Sequence, residues 1–525
     1  MMRIRVILSL AILLALCVQA LPALSATYYI SPTGSDANPG TLAKPWFTFA
    51  YAIDPARASC GDTLLLANGT YGDGTSTGKI SISKLICAAG NELTIRAMNQ
   101  RQAKINDDGS SYGVHIRNSA YIIIDGLYVR SNDNPNSITT YGRPVEITQS
   151  SNIIIRNNVF LNPNRYANAH SLAILYSQDV LVEDNESYVF HRHCVTGWDS
   201  TRVVVRRQYC NPRGGRIPGG WTAVGSPPGS GDAVFSMYPC KDCILENSIG
   251  DGTTNGMFLN EMNATFGSGV LMSGSKVLGS ICYKCDVLNG LFPNSRKVAD
   301  LNHTPQNIVI RDVAIVDWSS AGQGIKCQDC VNAVIDHVTI LGTGLTGNGI
   351  QAFDSAFGGT PAQNSISITN TIVKGVTGTG LRISGHNTWS GDEIHSNGNS
   401  VAFSPALPSN WTNAVTTDPG LGTCKLWVPT GAAAKGAGTG GSDIGATILY
   451  RYINGVLTST PLWDPKTGEF PHGAPDLDET NRVKGQSLFD IHTRLNVNTG
   501  GCSFPKNYGD GDTKQPAAPA SLRAS

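Results

Sequence analysis

Gly113-Val114-His115-Ile116, followed by Tyr121-Ile122-Ile123-Ile124-Asp125, is a small turn residue, an apolar-x-apolar strand and a second strand that runs into an acid or amide. The phrase returns as Pro144-Val145-Glu146-Ile147 with Asn152-Ile153-Ile154-Ile155-Arg156-Asn157, and as Ser171-Leu172-Ala173-Ile174 with Asp179-Val180-Leu181-Val182-Glu183-Asp184. Later copies read His193-Cys194-Val195-Thr196 with Val203-Val204-Val205, and Asp232-Ala233-Val234-Phe235 with Cys243-Ile244-Leu245-Glu246-Asn247. Gly324-Ile325-Lys326-Cys327, Gly349-Ile350 and Gly380-Leu381 begin more. One such strand pair cannot bury its apolar side alone, so a run of them implies a stacked coil.

Successive second strands begin at Tyr121, Asn152, Asp179 and Arg202, in steps of 31, 27 and 23 residues. That length holds three short strands and three turns per rung, which predicts an all-β, single-stranded right-handed parallel β-helix of about ten rungs. Amides and acids at the bends (Asn157-Asn158, Asp184-Asn185, Glu246-Asn247, Asn307, Asn370) are placed to satisfy backbone groups and to stack from rung to rung. With 58 Gly, 7% aromatic and 15% charged residues, the composition suits tight corners and small inward side chains.

The first 26 residues read as a secretory signal peptide: Met1 to Arg5 basic, Val6 to Val18 apolar, then Ala23-Leu24-Ser25-Ala26. No second apolar run is long enough to span a bilayer. Without Arg3 and Arg5 the chain carries 37 basic and 39 acidic side chains, a balance that argues against a nucleic-acid partner, and no phosphate-binding or dinucleotide motif is present. Twelve cysteines remain once Cys17 is set aside, an even number suited to disulfides in an oxidising compartment. Cys60 with Cys87 and Cys424 with Cys502 are the expected pairs. Cys240-Lys241-Asp242-Cys243, Cys282-Tyr283-Lys284-Cys285 and Cys327-Gln328-Asp329-Cys330 have zinc half-site spacing, but cross-links at exposed corners explain them better in an exported chain.

At the start of the mature chain, Tyr28-Tyr29-Ile30-Ser31-Pro32-Thr33-Gly34-Ser35-Asp36, then Pro45-Trp46 and Gly61-Asp62-Thr63-Leu64, resembles the opening of secreted β-helix proteins of the polysaccharide lyase (pectate lyase-like) superfamily. Thr417-Asp418-Pro419-Gly420-Leu421 and Ser442-Asp443-Ile444-Gly445-Ala446 resemble the closing signature of bacterial β-helix proteins. The resemblance implies the helix over 27–446; beyond it, 447–510 reads as an appendage packing along or over the helix end, and 511–525 as a tail. It carries over no catalytic residues: neither the clustered Asp set nor the Arg-x-Pro-x-x-Arg element of pectate lyases is present.

The candidate site therefore rests on register. Aligning rungs on the turn residue gives an outward column of His115, Glu146, Ala173, Val195, Val234, Lys326, Gln351 and Arg382. A lip column reads Tyr112, Arg143, His170, Arg192, and the turn positions of two rungs hold His193 and Asp232. These place Arg143, His170, Arg192, His193 and Asp232 on one exposed cationic ledge, with His191 beside it, suited to an anionic polysaccharide. In β-elimination, Arg143 and Arg192 would neutralise a uronate carboxylate, and His193 or His170 would take the proton. Asp232 would orient the base or hold a calcium ion, no other cofactor being implied, while Glu146 would be a ligand or a sugar contact and His115 a sugar contact. Lys326 and Arg382 are either solvated or an extension of the groove, and the chain is expected to be a monomer. Two alternatives are a glycoside hydrolase with Glu146 and Asp232 as its carboxylates, and a non-catalytic carbohydrate binder using Trp198, Trp221 and Tyr238.

Overall fold

The computed structural model describes residues 25–72, 78–106, 112–130, 143–161, 170–188, 190, 192–212, 233–253, 273–285, 305–319, 322–344, 346–353, 365–385, 388–406, 411–472 and 488–509, together with strands Phe258–Met262 and Asn289–Ser295. The expected signal sequence up to Leu24, His191, Trp221, Asp232 and the C-terminal tail lie outside these residues.

Short β-strands coil into a parallel β-helix with three faces. On the first face Ile80 pairs in register with Val114, Val145, Leu172, Val195 and Phe235 on successive rungs. The ladder continues through Phe258, Leu291, Ile325, Ile350, Leu381 and Phe403, so eleven pairings join twelve strands against the ten or so rungs expected. The second face begins at Thr27–Ile30 and includes Ala120–Asp125, Ser151–Arg156 and Gln178–Glu183. The third is built from very short strands such as Tyr128–Arg130, Val159–Leu161 and Glu186–Tyr188. Inward Ile, Val and Leu from all three faces merge into one core running the length of the stack.

The corners explain the repeated phrase. The turn residue that opens each first-face strand points inward: a Cβ on Gly113 would sit 2.7 Å from Val129 Cγ1, so only a small or well-fitted side chain is tolerated. At the next bend the backbone takes positive φ at Asn118, Gln149, Tyr176 and Asp199, and a column of serines follows. Ser119 N–H donates to Ser150 Oγ (3.1 Å), Ser150 N–H to Ser177 Oγ (3.1 Å) and Ser177 N–H to Ser200 Oγ (3.2 Å). At the second bend the expected amide stack is present. Leu127 N–H donates to Asn158 Oδ1 (2.8 Å), and both Asn158 N–H (2.9 Å) and Asn158 Nδ2 (3.0 Å) donate to Asn185 Oδ1. Each ladder satisfies backbone donors that the strands leave behind at a corner.

The opening resemblance maps onto an N-terminal cap. Trp46 stacks on Tyr28 with centroids 4.6 Å apart and lies against Gly40, where a Cβ would approach its ring to 2.5 Å. Asp36 accepts from Phe47 N–H (3.0 Å), Thr48 N–H (2.9 Å) and Thr48 Oγ1 (2.7 Å).

The chain after the coil packs along a flank rather than over the end. Thr439 N–H reaches Asn370 Oδ1 (2.8 Å), Ala446 N–H reaches Thr339 Oγ1 (2.9 Å) and Thr447 N–H reaches Asp312 Oδ1 (3.2 Å). Gly455 N–H then meets Glu246 Oε2 (2.9 Å), so this strap descends the stack rung by rung. Leu426, Trp427, Ile448, Leu462, Trp463 and Phe470 cover Tyr128, Val159, Tyr188, Tyr209 and Ile249 on the outside of the third face.

Cys60 and Cys87, and Cys424 and Cys502, lie at pairing distance as expected, with Cα atoms 5.2 and 5.1 Å apart. Each Cys-x-x-Cys motif pairs within itself, and these cysteines are buried in the core instead of sitting at exposed corners. Cys194 pairs with Cys210, a link the spacing did not suggest. Among the described residues no helix is long and apolar enough to cross a membrane.

Candidate functional site

The expected register holds for the early rungs and slips at His193. Arg143 lies opposite Tyr112 and Glu146 opposite His115, but Leu172 pairs with Val195, not with Cys194. Cys194, directed inward to Cys210, occupies the turn position, which moves His193 into the lip column beside His170. One rung on, Ala233 opposes His193. Val195 and Val234, expected to face outward, are core residues, and Thr196 and Ser236 take the outward positions. The observed lip column is thus Tyr112, Arg143, His170, His193, Ala233. Arg192, half-buried, precedes it by one residue, and Asp232 and His191 lie outside the described residues.

Two groups form along this strip. The first joins neighbouring rungs: Arg143 is ion-paired with Glu146, His115 Nε2 lies 3.7 Å from Glu146 Oε1, and Thr148 Oγ1 lies 3.2 Å from the same oxygen. Tyr112 stacks on His115 (4.8 Å between centroids), hydrogen-bonds Glu146, and lies beneath Lys79 Nζ at 5.6 Å. Burial raises the Tyr112 phenol pKa, the Glu146 charge adds to the rise, and Arg143 opposes it. His115 is pulled below its ordinary range by burial, with Lys79 and Arg117 adding to the effect and Glu146 working against it. At neutral pH the pair is therefore a phenol and an uncharged imidazole.

The second group is the stacked His170 and His193, whose centroids are 5.0 Å apart, with Tyr238 Oη 3.4 Å from His193 Nε2. His170 is held well below the usual histidine pKa by burial, then by His193, Arg143 and Arg192. The ledge was expected to be exposed. Instead His193 is fully buried, His170 is 7% exposed and Glu146 5%. His115 and Arg143, at 20% and 15%, are accessible, as is half-buried Arg192.

Tyr112, Thr148 and Lys79 were not singled out by the sequence reading. The signal for Tyr112 was its position directly opposite Arg143 in the lip column. Among the described residues no group of three or more His, Cys, Asp or Glu side chains is arranged to hold a metal ion. The aromatics continue the strip upward: Trp198 pairs in register with Tyr238, their rings 6.4 Å apart.

No protein-family model and no curated protein matches the chain. Solved structures do. A pectate lyase is similar over 81% of this chain and 96% of its own, at 14% identity and a TM-score of 0.36. A family 6 alginate lyase is similar over 84% of this chain and 60% of its own, at 13% identity and a TM-score of 0.41. A surface adhesin of Streptococcus pneumoniae is similar over 67% of this chain and 85% of its own, at 10% identity and a TM-score of 0.40. The parallel ladders of this chain themselves make it a parallel β-helix.

Proposed function

We propose that the chain is a secreted polysaccharide lyase that cleaves an anionic, uronate-containing polysaccharide by β-elimination. The supporting observation is the Tyr112, His115, Arg143 and Glu146 cluster, assembled by ladder register on two adjacent rungs. Arg143 presents a planar fork to the substrate carboxylate, and the neutralised carboxylate acidifies the adjacent C–H. Neutral His115 removes that proton, the electron pair forms the ring C=C bond, and the glycosidic C–O bond breaks. Tyr112, kept as a phenol, protonates the departing oxygen. Glu146 stabilises the imidazolium that forms beside it.

The burial of His193 moves the base to His115. His170 and His193 then serve as an uncharged floor, and Arg192 as a second cation near it. The six cysteine pairs fit an oxidising, extracellular setting.

The test is ultraviolet absorbance of unsaturated uronate on pectate, alginate and glycosaminoglycans, each with and without chelator so that a calcium requirement is read directly. Arg143→Lys, which keeps charge against Glu146 but loses the fork, and His115→Gln are each expected to lower kcat/KM by about 100-fold or more at an unchanged Tm. Full activity in both variants, or no absorbance on any uronate polymer, overturns the assignment. Reducing ends released without absorbance would instead favour a hydrolase, and retention without cleavage a binding protein.

A further inference from the structure

The outward positions of the first face form a second column, two residues beyond the one that holds His115 and Glu146. Arg117 pairs in register with Thr148, Thr148 with Leu175, Leu175 with Trp198 and Trp198 with Tyr238. Side chains two apart on a strand share a side of the sheet, so this column runs beside the cluster on the same outer surface. Its character changes along the stack. Beside the cluster it is polar, with exposed Arg117 and half-buried Thr148, and the next three rungs carry half-buried Leu175, Trp198 and Tyr238.

Tyr176, the residue after Leu175, widens the apolar part. It stands at the corner where Asn118, Gln149 and Asp199 also take positive φ, a conformation that favours Asn and Asp over a bulky side chain. Tyr176 adopts it at φ 52° and is 56% exposed, so the fold holds an aromatic ring out to water on a strained piece of backbone. Its N–H donates to Trp198 O (2.8 Å), which fixes the two residues on adjoining rungs. The Trp198 and Tyr238 rings lie 6.4 Å apart, and Tyr238 Oη lies 3.4 Å from His193 Nε2. The aromatic platform is thus tied to the His170 and His193 floor, with its rings set before any ligand arrives.

We infer that Tyr176, Leu175, Trp198 and Tyr238 form a stacking subsite for the C–H face of a pyranose ring of the bound polysaccharide, a few sugar units from the bond that breaks, an inference that rests on the lyase reading above. Two rung steps separate Glu146 from Trp198 and a third leads to Tyr238, roughly 10 and 14 Å at about 4.8 Å per step. A pyranose face rich in C–H groups gains by burial against aromatic and aliphatic side chains. Among the described residues the apolar strip is one side chain wide with Tyr176 alongside, which suits a linear polymer and falls short of the roughly 20–30 residues a side of a stable protein interface. Contacts to charge at Arg143 weaken with salt and stacking does not, so the subsite holds long chains at ionic strengths that release short ones.

The experiment measures the affinity of the full chain for polygalacturonate and polymannuronate and for their disaccharides, at low and high salt. Trp198→Ala is expected to weaken polymer binding about tenfold at both salt concentrations with disaccharide binding nearly unchanged, and Trp198→Phe to recover most of the loss. Tyr176→Asn suits the positive φ of the corner, so it is expected to keep the wild-type Tm and to lose several-fold in polymer affinity, which carries the test if Trp198→Ala folds poorly. Polymer affinity at the wild-type level in every folded variant overturns the subsite. A loss that disappears at high salt, or that is equal on the disaccharides, also overturns it. The lyase reading is tested separately: wild-type protein that binds the polymers but yields no unsaturated product refutes that reading, while the affinities still test the subsite.

Discussion

The outer surfaces of the first and third faces are built by the same coil in the same register, yet they handle buried charge in opposite ways. On the third face the strap covers the surface, and charged groups there close onto partners inside it. Arg101 is ion-paired with Glu186, which also accepts from Tyr188 Oη (2.6 Å). Asp251 receives Tyr209 Oη (2.6 Å) and Arg494 Nη1 (2.6 Å) from the strap. On the first face the Tyr112, His115, Arg143 and Glu146 cluster stays open at His115 and Arg143. Burial and displaced pKa values occur on both faces, so neither marks a site. What separates them is whether a ligand can reach the group.

The largest effect that tests this contrast is on stability. Arg101→Met leaves the Glu186 carboxylate buried without its cation, and removing one partner of a buried pair typically destabilises by about 3–5 kcal/mol. Denaturant unfolding is expected to show that loss, while turnover per folded molecule stays at the wild-type level. Arg143→Lys is expected to show the reverse, with a small stability change and a large loss of turnover. Similar stability losses in both variants would erase the distinction between the two faces.

The fold was legible because the inward turn position restricts residue size, which produces the repeated phrase around Gly113, Pro144 and Ser171. The serine ladder was equally visible in retrospect, since Ser119, Ser150, Ser177 and Ser200 keep the same 31, 27 and 23-residue steps as the rungs. The register at His193 was not legible. There one strand, His193–Arg206, runs through the corner without a break, and either His193 or Cys194 fits the turn position until Cys210 is seen to claim the cysteine. The strap was hidden for a different reason. Its contacts join residues about two hundred positions apart, such as Asn247 with Tyr452, and no local pattern encodes them.

Acid and base should act on the two regions with opposite signs. His337, where the strap crosses the second corner, donates from Nδ1 to Asp336 (2.9 Å) and lies 3.1 Å from Ser442 Oγ of the strap. Burial works to lower its pKa, but the hydrogen bond to Asp336 and the charges of Asp312 and Asp336 outweigh burial and the opposing Arg311, so the net shift is upward. A raised pKa means the protonated form is favoured in the fold. Its stabilisation is complete below the ordinary 6.5 and disappears as pH rises through the folded value. His170 is displaced downward, so its contribution is present above 6.5 and is lost as pH falls through its depressed folded value. In Tm measured against pH, His337→Gln should flatten the alkaline limb and His170→Gln the acid limb. The same limb responding to both would contradict the assignment.

The smallest effect examines the corner that joins the open face to the second. Ser150 Oγ accepts the Ser119 N–H (3.1 Å) and donates to Thr148 O (2.9 Å), so one hydroxyl ties a backbone donor on one rung to a carbonyl on the next. Ser150→Ala leaves both groups without that partner and is expected to lower stability by about 1 kcal/mol. Ser177→Ala should behave alike, and because Ser150 N–H donates to Ser177 Oγ (3.1 Å) the double variant should lose less than the sum of the two. Thr148 is two residues from Glu146 and 3.2 Å from its carboxylate, so the corner and the cluster share a strand. If the corner only carries load, kcat/KM is unchanged in Ser150→Ala. A drop in kcat/KM larger than the stability loss explains would make the serine ladder part of what holds Glu146 against Arg143 and His115.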